Sequence, residues 1–284
     1  MIRPRILEEP LSRLAVWSRR VAVFSIPVVL LAITIVRSGL LELVPALATF
    51  GGALALAVVA IVLAFGAFIV IWREGLRGGG HAVLALMIGI GILAYPAYLA
   101  TRAYRLPAIN DVTTDPLDPP RFEAIARLRS RESNPITYAG LRAAELQRAA
   151  YPDIEPLLLN VTLQEAYDSA LAVITRRKWR IVDARPPQPG RRDGLIEAVA
   201  RTPIMGFRDD VVVRVRPAQD GARVDVRSAS RYGRSDLGAN ASRVRALIED
   251  IDDAAGAEEK KPKKPVPVEE PAPAPKKAQG SRRR

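Results

Sequence analysis

The chain contains no cysteine. That excludes disulfides, thiolate nucleophiles and zinc–thiolate centres, yet an oxidising compartment does not require disulfides, so location has to be read from topology. There is one histidine, His81. It opens an apolar run, so neither a Ser-His-Asp triad nor a histidine metal cluster can assemble in the polar part of the chain. Metal chemistry would have to rest on carboxylates, and Asp209 and Asp210, neighbours on an expected strand, point to opposite faces. Gly78-Gly79-Gly80 lacks the Lys-Ser/Thr of a phosphate-binding loop and reads as a turn. No cofactor and no metal are expected. Lysine is nearly missing too: apart from Lys178, every lysine falls within residues 254–284.

Charge is also missing from three long stretches. Residues 21–36, 47–72 and 81–100 contain no Asp, Glu, Lys or Arg. A helix of roughly 20 residues crosses a hydrocarbon core of about 30 Å, so these read as three transmembrane helices, the first short enough to borrow flanking residues. Pro27 and Pro96 are tolerable there, because lipid offers the backbone no partner other than helix. Trp17, Trp72, Tyr95, Tyr98 and Tyr104 sit at run ends as interfacial anchors. The basic N-terminal segment 1–20 carries Arg3, Arg5, Arg13, Arg19 and Arg20, and the second loop Arg73 and Arg77. The first loop has Arg37 and the stretch after the third run has Arg102 and Arg105. Positive-inside counting puts the N-terminus in the cytoplasm and everything after residue 105 on the periplasmic side of a bacterial inner membrane. The competing reading is a signal peptide, with Ser18-Arg19-Arg20 before the apolar run and Ala46-Leu47-Ala48 as the cleavage site. The second and third spans would remain even so.

Residues 106–120 are rich in proline, which marks a linker. The soluble domain should occupy 121–253. It begins with two helical patterns, 121–131 and 138–150. Thr162-Leu163-Gln164-Glu165 is a capping box, so a helix should start there, bury Leu163, Tyr167, Ala170, Leu171 and Ile174, and end near Lys178. Strands are expected at 179–184, 195–201, 210–216 and 223–229, with a turn at Gly190 and Gly194 after the first. In the last two, valines alternate with charged residues, the pattern of a sheet with one covered face. A simple hairpin register sets Arg214 opposite Asp225 and Arg216 beside Arg223. Leu237, Ala241, Val244, Ile248 and Ile251 form the stripe of a final helix, capped by Ser235 or Asp236. Its acidic end, residues 249–253, opposes the helix dipole and should fray. The fold class is therefore three N-terminal transmembrane α-helices plus a two-layer α+β domain, an antiparallel sheet of about four to five strands packed by helices in a helix-grip-like arrangement. Residues 254–284, alternating Lys, Pro-Ala and Glu and ending in three arginines, form a basic tail expected to be disordered.

Arginines, hydroxyls and a helix start converge at 227–240. Arg227, Ser228, Ser230, Arg231, Arg234, Asp236 and Asn240 are the candidate residues for an anion or a partner, since helix N-termini and guanidinium groups both attract phosphate and carboxylate. Asp236 at the same helix start competes with an incoming anion. In the structural alternative, Ser235 and Asp236 cap the helix and the arginines are solvated or pair with Asp209, Asp210 or Glu197.

Three segments carry a resemblance: residues 209–214, Val224-Asp225-Val226-Arg227-Ser228-Ala229-Ser230-Arg231, and Gly233-Arg234-Ser235-Asp236-Leu237-Gly238-Ala239-Asn240. Together they closely resemble the signature of the DUF1499 family. Asp111-Val112-Thr113-Thr114-Asp115 and Pro119-Pro120-Arg121-Phe122 resemble the start of that domain in membrane-anchored bacterial members. The resemblance covers roughly 107–253 and implies no mechanism.

The expected role is a non-enzymatic domain, held by a lipid bilayer, that binds an envelope protein, a lipid or an anionic ligand. The basic tail would face anionic lipid or an envelope polymer; nucleic acid is not expected beside an exported domain. Two alternatives remain open. One is an enzyme for an anionic envelope substrate, with Asp236 or Asp209 as acid or base and Arg227 or Arg231 as clamp. The other is the same domain facing the cytoplasm and binding anionic lipid.

Overall fold

A computed structural model describes residues 10–188 and 193–259. The tail from residue 260, Arg3, Arg5 and Gly190 lie outside the described residues. Three helices open the chain: α1 (Arg13–Ser38), α2 (Leu43–Glu74) and α3 (Gly79–Arg105). All three are long and apolar enough to cross a membrane. The first run does borrow its flanks, beginning at Arg13 where the Ser12 hydroxyl accepts from the Ala15 amide. The Ser12 amide donates to the Arg77 carbonyl at 2.9 Å and the Arg77 amide to the Pro10 carbonyl at 3.1 Å. The start of the bundle therefore sits beside the α2–α3 turn, and α1 and α3 both end at the opposite end, where the rest of the chain continues.

Apolar helices gain nothing by hiding large side chains from lipid, so they associate through close packing of small ones. The buried seam is built this way, from Ala15, Ala22, Ala60, Ala64, Ala67, Ala82 and Ala85. Gly89 continues it: a Cβ there would come within 2.6 Å of Ile61 Cγ1 and 3.2 Å of the Ala57 carbonyl. Gly89→Leu is expected to destabilise the bundle by about 1–3 kcal/mol through overpacking, read as a lower SDS concentration for loss of helix contacts in micelles.

The polar part is an α+β domain around a six-stranded antiparallel sheet in the order β1-β6-β5-β4-β3, with β2 also on β6. The strands are β1 (Asp111–Thr113), β2 (Leu157–Leu159), β3 (Arg180–Arg185), β4 (Gly194–Arg201), β5 (Arg208–Ala218) and β6 (Gly221–Ser230). β1 and β2 share one edge of β6, pairing with 227–229 and 222–224. Both are only three residues long and were not expected from the sequence. The β5–β6 register pairs Arg214 with Asp225 and Arg216 with Arg223, as the alternation implied. Gly221 has φ 141°, and a Cβ there would meet the Leu159 carbonyl at 2.2 Å; only glycine lets β2 approach.

One face of the sheet carries Ile196, Ala198, Val211, Val213, Val215, Val224 and Val226, all buried against α5 (Leu163–Arg176) and α6 (Ala239–Glu259). The capping box at Thr162 is present, the Glu165 carboxylate accepting from the Thr162 amide at 2.9 Å. Three expectations are corrected. Residues 121–131 form only a 3-10 turn, Ile125–Leu128, because the segment is drawn across the sheet by Phe122 and Ile125 rather than coiling on itself. The second pattern is helical only over α4 (Leu141–Ala150), Gly140 holding φ 74° before it. And α6 does not fray at 249–253 but runs to Glu259. Arg177 donates to Asp250 at 2.9 Å and to the Ala246 carbonyl at 2.7 Å, while Ile251 and Ala255 stay buried.

Candidate functional site

The second face of the sheet is where the structure departs most from an open charged surface. Glu197, Asp210, Asp225, Arg227 and Arg231 project from it, yet each is at most 5% exposed. The segment between β1 and α4 crosses over them, and Phe122, Ile125 and Ile136 pack on Leu195, Val199, Val212 and Ala229. Burying ions is costly unless each is paired and hydrogen-bonded, and these are. Arg227 binds Asp111 through Nε and Nη2 at 3.0 and 2.7 Å and donates to the carbonyls of Pro120 and Ile136. Its guanidinium lies 4.8 Å from the centre of the Phe122 ring and 5.6 Å from that of Tyr138, a cation–π arrangement. Burial, and then the nearby Asp111, push the Tyr138 hydroxyl up to about 12, against the opposing pull of Arg227.

Asp210 accepts from Arg231 at 2.7 Å and, on its other oxygen, from Arg129 at 2.7 Å. Glu197 accepts three backbone amides, those of Glu123, Ala124 and Ile125, at 2.8, 3.0 and 2.8 Å. Nearer the β5–β6 turn, Asp225 is ringed by Arg214, Arg216 and Arg223 at 3.1, 2.8 and 2.9 Å. Asp115 adds to that ring from above. Its burial alone would push its pKa up, but amides of Asp118 and Leu117 together with Arg223 and Arg216 hold it below the usual value.

Seven candidate residues were proposed from the sequence, and the sheet's two-residue period divides them. Arg227 and Arg231 point into the covered charged face. Ser228 and Ser230 point the other way, toward α6, where they meet Asn240: the Ser228 hydroxyl donates to Asn240 Oδ1 at 2.8 Å, and Asn240 Nδ2 donates to Ser230 Oγ and to the Asn110 carbonyl at 3.0 Å. Asp236 accepts the amides of Gly238 at 2.9 Å and Asn240 at 2.6 Å and so caps α6. Arg243, which the sequence reading passed over, joins this second cluster through Ser228 and Asp209. Its spacing from Asn240, one helical turn, was the available signal. Burial raises the pKa of both Asp209 and Asp236 above the ordinary range despite these donors. Arg234 alone of the seven is exposed and has no hydrogen bond or ion pair among the described residues.

The arrangement thus holds two buried polar clusters back to back across one sheet. Asp236→Ala is expected to cost about 1–2 kcal/mol, the scale of a lost N-cap, measured as a shift in the urea midpoint of pulse proteolysis of the full chain. Among the described residues no group of three or more His, Asp or Glu is placed to hold a metal ion. Residues 111–251 match the family described as "Protein of unknown function (DUF1499)". No curated protein matches the chain.

Proposed function

We propose, for a chain whose residues 111–251 are a DUF1499 domain, the role of a multi-pass, membrane-anchored binding module. The three helices would hold the domain at the periplasmic surface of a bacterial inner membrane, and its spare arginines would take an anionic envelope ligand.

The observation that carries this reading is how the arginines are divided. Arg129, Arg214, Arg216, Arg223, Arg227 and Arg231 are neutralised by the domain's own carboxylates. Arg131, Arg201 and Arg234 are exposed and have no carboxylate partner among the described residues. Arg201 ends β4, Arg234 follows β6, and Arg131 precedes Asn134, whose amide donates to the Arg231 carbonyl. All three therefore belong to the end of the sheet from which the chain leads back to α3. Guanidinium groups left free in this way pair bidentately with phosphate or carboxylate. Arg227 and Arg231 then serve to hold the domain together, and of the seven residues first considered Arg234 is the one that meets a ligand.

Sidedness is supported by Arg13, Arg19, Arg20, Arg73 and Arg77 at the end of the bundle where the chain starts, against Arg37, Arg102 and Arg105 at the other. Alkaline phosphatase fused after Glu259 is expected to be active in intact cells. Activity of a cytoplasm-dependent fluorescent protein at the same position, with silent phosphatase, would instead place the domain against the cytoplasmic leaflet. Binding is tested with dextran sulfate as the polyanion and full-length protein in micelles. Joint substitution of Arg131, Arg201 and Arg234 by Gln should weaken it about tenfold or more, equivalent to about 1.4 kcal/mol. Unchanged affinity would remove the reading.

A further inference from the structure

A second feature at the same end of the domain has a different charge balance. The turn between α1 and α2 and the β4–β5 hairpin enclose an open crevice of about 280 Å³, near the small end of ligand pockets at about 300 Å³. Its lining includes Arg37, Leu41, Leu43, Phe207, Arg208 and Tyr232, with Glu42 and Glu132 also present. Among the described residues Arg37 has no carboxylate partner. It is held by backbone instead, Nη1 donating to the carbonyls of Pro203 and, at 2.8 Å, Ile204. Arg208 reaches over the turn, its Nη2 within 3.5 Å of where a Cβ on Gly39 would lie. Neither Arg208, Glu42 nor Glu132 has an ion pair among the described residues, and all are exposed.

The level of this crevice is set by the helices. α1 ends at Ser38 and α2 begins at Leu43, and both are long and apolar enough to span, so in a spanning bundle residues 39–42 would lie at the headgroup layer of a bilayer. Leu40 and Val44 beside it are 87% and 76% exposed, surfaces for acyl chains rather than water. Two guanidinium and two carboxylate groups sum to no net charge. A bare phosphate would meet repulsion from the glutamates, whereas a headgroup that carries a phosphate and a hydrogen-bonding cation would satisfy both pairs.

We propose that this crevice binds the headgroup of a zwitterionic phospholipid with a primary ammonium, phosphatidylethanolamine, its phosphate on Arg37 and Arg208 and its ammonium on Glu42 and Glu132. A quaternary choline has no N–H to donate, and a glycerol headgroup leaves the phosphate charge uncompensated, so both bind less well. The contact would lock the domain to the leaflet through its lipid as well as through its chain.

The test places the full-length protein in nanodiscs of equal parts phosphatidylethanolamine, phosphatidylglycerol and phosphatidylcholine. Lipids that remain bound after mild detergent extraction are then counted by native mass spectrometry. Phosphatidylethanolamine should be retained about tenfold over phosphatidylcholine, and both Arg208→Gln and Glu132→Gln should lower that ratio toward one. Arg148→Gln, at an exposed position of α4 and outside the lining, should leave it unchanged. Because Glu132 is exposed, its variant reports even if Arg208→Gln impairs folding. Equal retention of the three lipids, preference for phosphatidylglycerol, or an equal effect of Arg148→Gln would overturn the assignment. None of these outcomes bears on dextran sulfate binding through Arg131, Arg201 and Arg234, so this site and the polyanion reading can fail separately.

Discussion

Asp210→Ala is expected to destabilise the domain by at least about 3–5 kcal/mol, the usual consequence of removing one partner from a buried ion pair. The carboxylate has no exposed surface and serves two guanidinium groups, those of Arg129 and Arg231, whose side chains are 6% exposed. Truncation leaves both cations buried with no counter-charge. Neither has an easy alternative. Arg231, the residue after β6, is held beside the sheet by its amide, which donates to the Arg208 carbonyl at 3.3 Å, and Arg129 is already committed to the carbonyl of Asn134 at 2.7 Å. Domains of this size are stable by about 5–15 kcal/mol, so a large share of the full-length protein should become cleavable in pulse proteolysis without denaturant. Replacing all three residues together, Asp210→Leu with Arg129→Met and Arg231→Met, should cost less than Asp210→Ala alone, since an apolar group of similar volume removes the charges along with the pairing. A loss under about 1 kcal/mol for the single variant would show that water reaches this cluster.

Glu197→Ala should produce a loss of similar size but of different character. Its two oxygens accept three consecutive amides at the start of the 3-10 turn. Hydrogen bonds to a charged acceptor contribute about 1.5–3 kcal/mol each, and less than additively when they share one group. What they hold is the segment crossing the sheet, so the expected result is local opening before global unfolding. Hydrogen exchange should show the amides of Glu123, Ala124 and Ile125 losing protection while Val213 and Val226, in the middle of the sheet, keep theirs. Limited proteolysis should find a new cut between residues 121 and 138. Uniform loss of protection over the whole domain would mean instead that the crossing segment and the sheet unfold as one unit.

Much of the architecture was readable because its signals are local. Three runs without charge announce helices whatever surrounds them. The Thr162–Glu165 box and the alternating valines of β5 and β6 report on the next few residues of chain, and the β5–β6 register follows from a short turn. The misses fall where the deciding partner is distant. β1 and β2 are three-residue segments that become strands only because β6 offers an edge. Residues 121–131 have a helical pattern, but Glu197, more than seventy residues later in the chain, captures their amides. The acidic end of α6 was expected to fray because nothing in its own sequence reveals Arg177.

The candidate site shows the same division. Composition and motif singled out residues 227–240, and the resemblance marked them again. Alternation along the expected strand 223–229 already implied that Arg227 could not share a face with Ser228; that reasoning separated Asp209 from Asp210 and applied equally here. What alternation could not supply was the cover. A face bearing Glu197, Asp210, Arg214, Arg216, Asp225 and Arg227 reads as solvated, because charge normally stays in water.

By itself, then, the sequence determined the three apolar helices, the strand periods and where arginines and hydroxyls gather, since these depend on hydrophobicity and spacing within one segment. Only the tertiary structure decided which arginines are neutralised and which keep no carboxylate partner among the described residues, because the pairing of Arg227 with Asp111 and of Arg129 and Arg231 with Asp210, and the lack of such a partner at Arg208 and Arg234, are set by chain crossings between residues far apart.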